Sequence, residues 1–126
     1  MTTEPLTPAD VLDKAAEHIE TIGWWQGDYI KIAWSDELDW YVPDQDCPAC
    51  AVGAINIAAD TEANADLAGH AIEAARALAV RLGLVVGDAE CVLMVVSQWN
   101  DATDRTAEQV VTELRACAAD LRQGAG

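Results

Sequence analysis

The chain has 126 residues, 52% of them hydrophobic, and sets seven Lys and Arg against 22 Asp and Glu for a formal net charge of −15. That length suits one domain, expected over residues 1–126 with an ordered core from about 7 to 122, and the apolar content excludes global disorder. So acidic a surface repels phosphate backbones, and no run of about 18 uncharged apolar residues is present, so neither direct nucleic-acid binding nor a membrane span is expected.

Met1–Pro5 lacks the basic and apolar segments of a secretory leader, and a cytoplasmic protein is expected. Thr7-Pro8-Ala9-Asp10 opens a helix. Thr7 is the N-cap, Pro8 has its φ preset for the first turn, and Asp10 faces the positive end of the dipole. Val11, Leu12, Ala15, Ala16, Ile19 and Ile22 recur at helical spacing until Gly23.

Residues 24–46 differ in kind: Trp24, Trp25, Tyr29, Trp34, Trp40 and Tyr41 crowd into this window. Tyr29–Trp34 alternates as a strand, Ser35-Asp36-Glu37 suits a turn, and Trp40-Tyr41-Val42 returns, predicting a small β-ribbon near residues 29–42. A second helix is predicted from Asp46 or Cys47 to about Asp60, with Gly53 on it to permit close approach of another backbone. Asn64 caps a third, through Leu82, that Gly83 ends. The run Cys91–Val96 suits either a buried strand or a helix; Asp88 as N-cap favours a helix over 88–100. Thr106-Ala107-Glu108-Gln109 is a capping box for the last helix, and Gln123–Gly126 is a loose tail. The expected fold is mainly α: about five helices around one core rich in Ala, Val and Leu.

Cys47 and Cys50 form a Cys-x-x-Cys. A structural zinc site needs a second such pair or paired histidines, but Cys91, Cys117, His18 and His70 each stand alone, and no calcium loop is present. A redox pair would need a βαβ context that is missing here. No metal and no cofactor is therefore expected. A nucleophilic Cys50 would need a base and an orienting group, for which His70 or His18 and then Asn100 or Asp101 are available. The plainer reading makes Cys50 a small buried residue. The aromatic belt also reads two ways. Its rings, with Gln26 beside them, offer a binding surface of large contact area, or they supply the bulk that an Ala-rich core without Phe lacks. Core packing is the preferred reading, with one or two rings left exposed. Asn100-Asp101 likewise suits a helix end and turn before it suits a pocket lining.

Three stretches together carry a resemblance: Gly23-Trp24-Trp25-Gln26-Gly27, Cys50-Ala51-Val52-Gly53-Ala54, and Trp99-Asn100-Asp101 followed by Arg105-Thr106. In order and spacing, over residues 11–117, they resemble a domain-of-unknown-function family of small proteins from bacteria and their phages. The resemblance implies no activity. It draws attention to Trp25, Gln26, Gly27, Cys50, Gly53, Asn100 and Asp101, and to Cys50 over Cys47. Between residues 28 and 46 the chain departs from the family by its tryptophans and acids. The expected function is a non-enzymatic accessory or protein-binding module, in keeping with a phage-related origin. The alternatives are a small enzyme with Cys50 as nucleophile, and an acidic decoy that imitates nucleic acid on a basic protein.

Overall fold

Thr7 begins the first helix in the way its sequence dictates. In the computed structural model, which describes residues 6–124, the Thr7 hydroxyl accepts from the Asp10 N–H and the Asp10 carboxylate accepts from the Thr7 N–H. Two orphan donors are satisfied at once. Helix α1 runs Pro8–Thr21, and Gly23 then turns the chain at φ +137°, where a side chain would be strained. The leader reading of Met1–Pro5 and the tail residues Ala125 and Gly126 lie outside the described residues.

Strands β1 (Trp34–Ser35) and β2 (Trp40–Tyr41) form an antiparallel ribbon in which Trp34 faces Tyr41 and Ser35 faces Trp40. The ribbon is shorter than the alternation predicts. Residues 29–31 leave it to pair elsewhere: the Lys31 N–H donates to Pro48 O, and the Cys50 N–H donates to Tyr29 O. A 3₁₀ turn at Asp44–Asp46 follows, and helix α2 spans only Ala51–Ala58. The predicted start at Asp46 or Cys47 is thus too early. Pro48 disfavours helical geometry at the residue before it, and Cys47 is extended at φ −106°, ψ 141°.

Helix α3 spans Gly69–Arg81, so its predicted cap at Asn64 is also too early. The segment 60–68 is held as a loop instead. The buried Asn56 amide donates to Ala63 O and Ala65 O, and the Asp44 carboxylate accepts from the Ala63 N–H. Gly83 closes α3 at φ +72°, with its N–H on Val80 O and that of Leu84 on Ala79 O, a Schellman ending. Helix α4 spans Ala89–Asn100 under an Asp88 cap, which settles the helix-or-strand alternative. Helix α5 spans Ala107–Gly124 behind the Thr106–Gln109 capping box and takes in part of the expected tail.

Among the described residues the fold is mainly α: five α-helices with one two-stranded ribbon. Helix α1 packs against α2, α3 and α5, while α4 packs against α2 and α3. Leu12, Ile55, Leu78 and Leu114 are fully buried among valines and alanines. Each such large side chain contributes about 1.5–3 kcal/mol by leaving water. Alanine shortens the distance between helices, so the core closes without large rings. That corrects the preferred reading of the aromatic belt. Trp25, Trp34, Trp40 and Tyr41 are exposed, and only Trp24 and Tyr29 lean on the core.

Candidate functional site

Two extended segments clasp a third. Ala49 bridges in parallel to Trp24 and antiparallel to Ile30, so residues 48–50 run between 23–25 and 29–31. The Ala49 N–H donates to Gly23 O at 3.1 Å, and the Trp25 N–H donates to Ala49 O at 3.1 Å. Tyr29 O, which accepts from Cys50, presses onto the first turn of α2 so closely that a Cβ on Gly53 would overlap it. The expected reason for Gly53 therefore holds. Only a residue without a side chain admits this carbonyl.

Asn100, the last residue of α4, is fully buried and joins the clasp to both helices. Its Oδ1 accepts from Trp24 Nε1 at 2.7 Å and from the Ala51 N–H at 3.0 Å. Its Nδ2 donates to Trp25 O at 3.1 Å and to Asp101 Oδ1 at 3.0 Å. The amide has two lone pairs and two protons to place, and all four are placed. The neighbours extend the network. Gln26 Nε2 donates to Asn100 O and Ala102 O, and Asp101 Oδ1 also accepts from the Gly27 N–H. Arg105 donates to Trp99 O and lays its guanidinium over the Trp99 ring at 4.3 Å. All three sequence stretches singled out above meet here.

Cys50 is the N-cap of α2, its Sγ accepting from the Gly53 N–H at 3.3 Å. Sulfur accepts weakly, and Asn100 Oδ1 accepts from the Ala51 N–H, a first-turn donor that an N-cap side chain does not reach. Only 3% exposed, the thiol is pushed up to about 11, first by burial and further by the Asp101 carboxylate, against the lowering pull of the Gly53 and Val52 N–H groups. It is protonated at neutral pH. A cavity of about 310 Å³ borders it, lined also by Asp28, Tyr29, Met94, Ser97 and Asp101.

The residues named for a cysteine enzyme are therefore brought together only in part. Cys50, Asn100 and Asp101 are neighbours, but His70 is exposed on the first turn of α3 and does not line the Cys50 cavity. His18 is buried with its Nε2 at 2.7 Å from Cys47 O. Asn100 and Asp101 Oδ1 hydrogen-bond within the clasp rather than to an imidazole. No three His, Cys, Asp or Glu side chains among the described residues are grouped to hold a metal ion, and no described helix is long and apolar enough to cross a membrane.

The residues named for binding divide into two groups. Trp24 and Gln26 belong to the Asn100 network, and Trp25 lies beside it under Lys31 Nζ, 5.2 Å from the ring centroid. Trp34, Trp40 and Tyr41 sit on the ribbon, 52%, 68% and 51% exposed. They are held there. Trp34 and Tyr41 meet edge to face at 5.3 Å, Trp40 and Tyr41 at 5.9 Å, and Trp34 Nε1 donates to Asp36 Oδ1 at 3.2 Å. The intervening turn is closed by Asp39 at φ 51° and by the Leu38 N–H on Ser35 Oγ. Ile32 and Leu38 are exposed as well; the alternation Ile30, Ile32, Trp34 is a signal for the first, and Leu38, in the turn, has none. A cleft of about 470 Å³ opens next to them, lined by Ile30, Ile32, Tyr41 and Val42 between Asp28 and Asp44.

No curated protein and no solved structure matches the chain. The family model described as Family of unknown function (DUF6197) matches residues 3–120. With nearly its whole length inside that match, the chain belongs to this family of unknown function.

Proposed function

We propose that the protein is a non-enzymatic accessory module of the cytoplasm that binds another protein through its ribbon. The observation that carries this reading is the reversal of normal partition at the ribbon. Ile32, Trp34, Leu38, Trp40 and Tyr41 are all more than half exposed, whereas the core is built from Ala, Val, Leu and Ile. Contiguous exposed apolar surface marks interaction sites, and Trp and Tyr dominate the energetics of protein interfaces. Rings already fixed by edge-to-face contacts lose little freedom when a partner covers them. Four free thiols agree with a reducing compartment. The cysteine-enzyme alternative draws no support from the geometry. The Cys50 thiol is buried and protonated, and neither histidine reaches it.

Two measurements test the reading. Affinity capture from the native cell with the wild-type chain and the Trp34→Ser/Trp40→Ser variant, both shown to be folded by circular dichroism, is expected to recover a partner that the variant loses. Equal recovery by both chains overturns the ribbon as the binding surface. Iodoacetamide at neutral pH is expected to alkylate Cys50 more slowly than the half-buried Cys91. Rapid labelling of Cys50 that His70→Ala abolishes would restore the enzyme.

A further inference from the structure

Acidic residues are about twice as dense along the ribbon segment as in the rest of the chain. Asp28, Asp36, Glu37, Asp39, Asp44 and Asp46 share the segment that carries the exposed rings, and Lys31 is the sole base between residues 28 and 46; Asp36 accepts from Trp34 Nε1, and Asp28 and Asp44 line the cleft beside Tyr41. Five acids elsewhere are ion-paired among the described residues: Asp10 and Asp13 with Arg122, Glu20 with Arg115, and Glu113 and Asp120 with Arg81. None of the six ribbon carboxylates forms an ion pair among the described residues. Lys31 itself is drawn over Trp25, and Arg76 and Arg105 donate to backbone carbonyls. The ribbon segment therefore combines exposed ring faces with carboxylates that no base pairs among the described residues.

Resting on the reading of the ribbon as a docking surface, we propose that its occupant is a cationic polypeptide segment, whose arginine side chains stack on Trp34, Trp40 and Tyr41 and reach Asp36, Glu37 and Asp39. Two chemistries converge on that occupant. Indole and phenol faces attract cations through the ring quadrupole, and the chain already does this internally, with Lys31 over Trp25 and Arg105 over Trp99. Carboxylates at the rim then receive the hydrogen-bond donors of a guanidinium whose plane lies on a ring. Arginine fits this pairing better than lysine, since only guanidinium is planar and forked. The cleft between Asp28 and Asp44, continuous with the rings through Ile32 and Tyr41, offers the same combination to a second basic side chain. Acidic or neutral segments would face repulsion or no attraction at the rim, and a second copy of this chain would bring the same six carboxylates against their equals.

The test uses the full chain and fluorescence anisotropy of labelled peptides: an alternating Gly-Arg octapeptide, its Gly-Lys counterpart and its Gly-Glu counterpart. Binding is expected in the order Arg, then Lys, with none for Glu, and is expected to weaken steeply with salt. Trp34→Ser/Trp40→Ser and Asp36→Asn/Glu37→Gln/Asp39→Asn are each expected to weaken the Arg peptide by about tenfold or more. Asparagine tolerates the positive φ of Asp39 and can still accept from Trp34 when it replaces Asp36, so the amide variant keeps the turn. Glu90→Gln/Asp104→Asn/Glu108→Gln, which removes as many charges from exposed positions elsewhere, is expected to change the affinity by about twofold or less. Equal loss in the two charge variants, or no binding by either basic peptide, overturns the proposal. So does a dimer seen by sedimentation that the tryptophan variant abolishes. If the ribbon captures a partner that keeps binding the acid-to-amide variant, the docking surface stands and its cationic occupant falls; if capture ignores the tryptophans, the docking surface itself falls.

Discussion

The Asn100 network and the ribbon lie within one loop's length of each other and invert each other's chemistry. Around Asn100, polar groups are taken out of water, and every proton and lone pair of the amide is matched within 3.1 Å. On the ribbon, large apolar groups are left in water, and the matching is confined to edge-to-face contacts and one indole hydrogen bond. Unmatched polar atoms inside are costly, so the first arrangement specifies structure. Unburied rings outside contribute little to folding, so the second is free to serve recognition. Both regions draw on the same Trp-rich window. A tryptophan alone therefore says nothing about which role it plays; its indole N–H partner does. Trp24 gives its N–H to a buried amide, and Trp34 gives its own to an exposed aspartate.

Substitutions can break that contrast. Asn100→Ala is expected to have the largest effect, about 3–5 kcal/mol of lost stability in chemical denaturation, since it strands the Trp24 N–H, the Ala51 N–H and Trp25 O together. Asn100→Asp should not rescue it, because a carboxylate cannot donate to Trp25 O and would face Asp101. Gly53→Ala follows. It gains about 1 kcal/mol of helix propensity but forces Tyr29 O off α2, for a net loss of about 2–3 kcal/mol. A stable Gly53→Ala chain would mean that the clasp yields easily.

A pH titration sharpens the comparison next. Burial pushes the Cys50 and Cys117 thiols up to about 11 from an ordinary 9.0. Their contribution is fully present below the unfolded value near 9.0 and is lost as pH rises through about 11, because only the unfolded chain releases those protons in that window. Thermal melts should show a fall in stability over that range that Cys50→Ala makes shallower. Trp40→Ser is the smallest perturbation, expected to stay within about 0.5 kcal/mol of wild type. A loss as large as that of Asn100→Ala would make the ribbon part of the core and remove the contrast altogether.

Legibility along the chain followed the range of the interactions. Thr7, Asp88 and Thr106 cap their helices through partners three residues away, so those starts are readable from a few letters. The start of α2 is not, because its cap is a thiol helped by an amide from another helix. Gly53 announced a close approach, but the approaching group, Tyr29 O, belongs to a segment whose alternation reads as ribbon. The rings read as core because composition weighs bulk, whereas position is set by a turn that carries them outward. Of the candidate site, Cys50, Asn100 and Asp101 are neighbours in the fold. That they build a joint rather than a catalytic centre became visible only with their hydrogen-bond partners named.

The joint also has a place in time. Its bonds span 49 residues from Asn100 to Ala51 and 76 from Gln26 to Ala102. Such loops close only after much of the chain's entropy is spent, whereas the α1 cap closes within one turn. On the ribosome, residues 23–31 and 48–50 emerge long before Asn100 is synthesised, so the first N–H of α2 and the Trp24 indole wait in water for an amide not yet made. Substitutions at Asn100 should accordingly speed unfolding and leave the folding rate almost unchanged, making this residue a latch that holds the finished molecule shut.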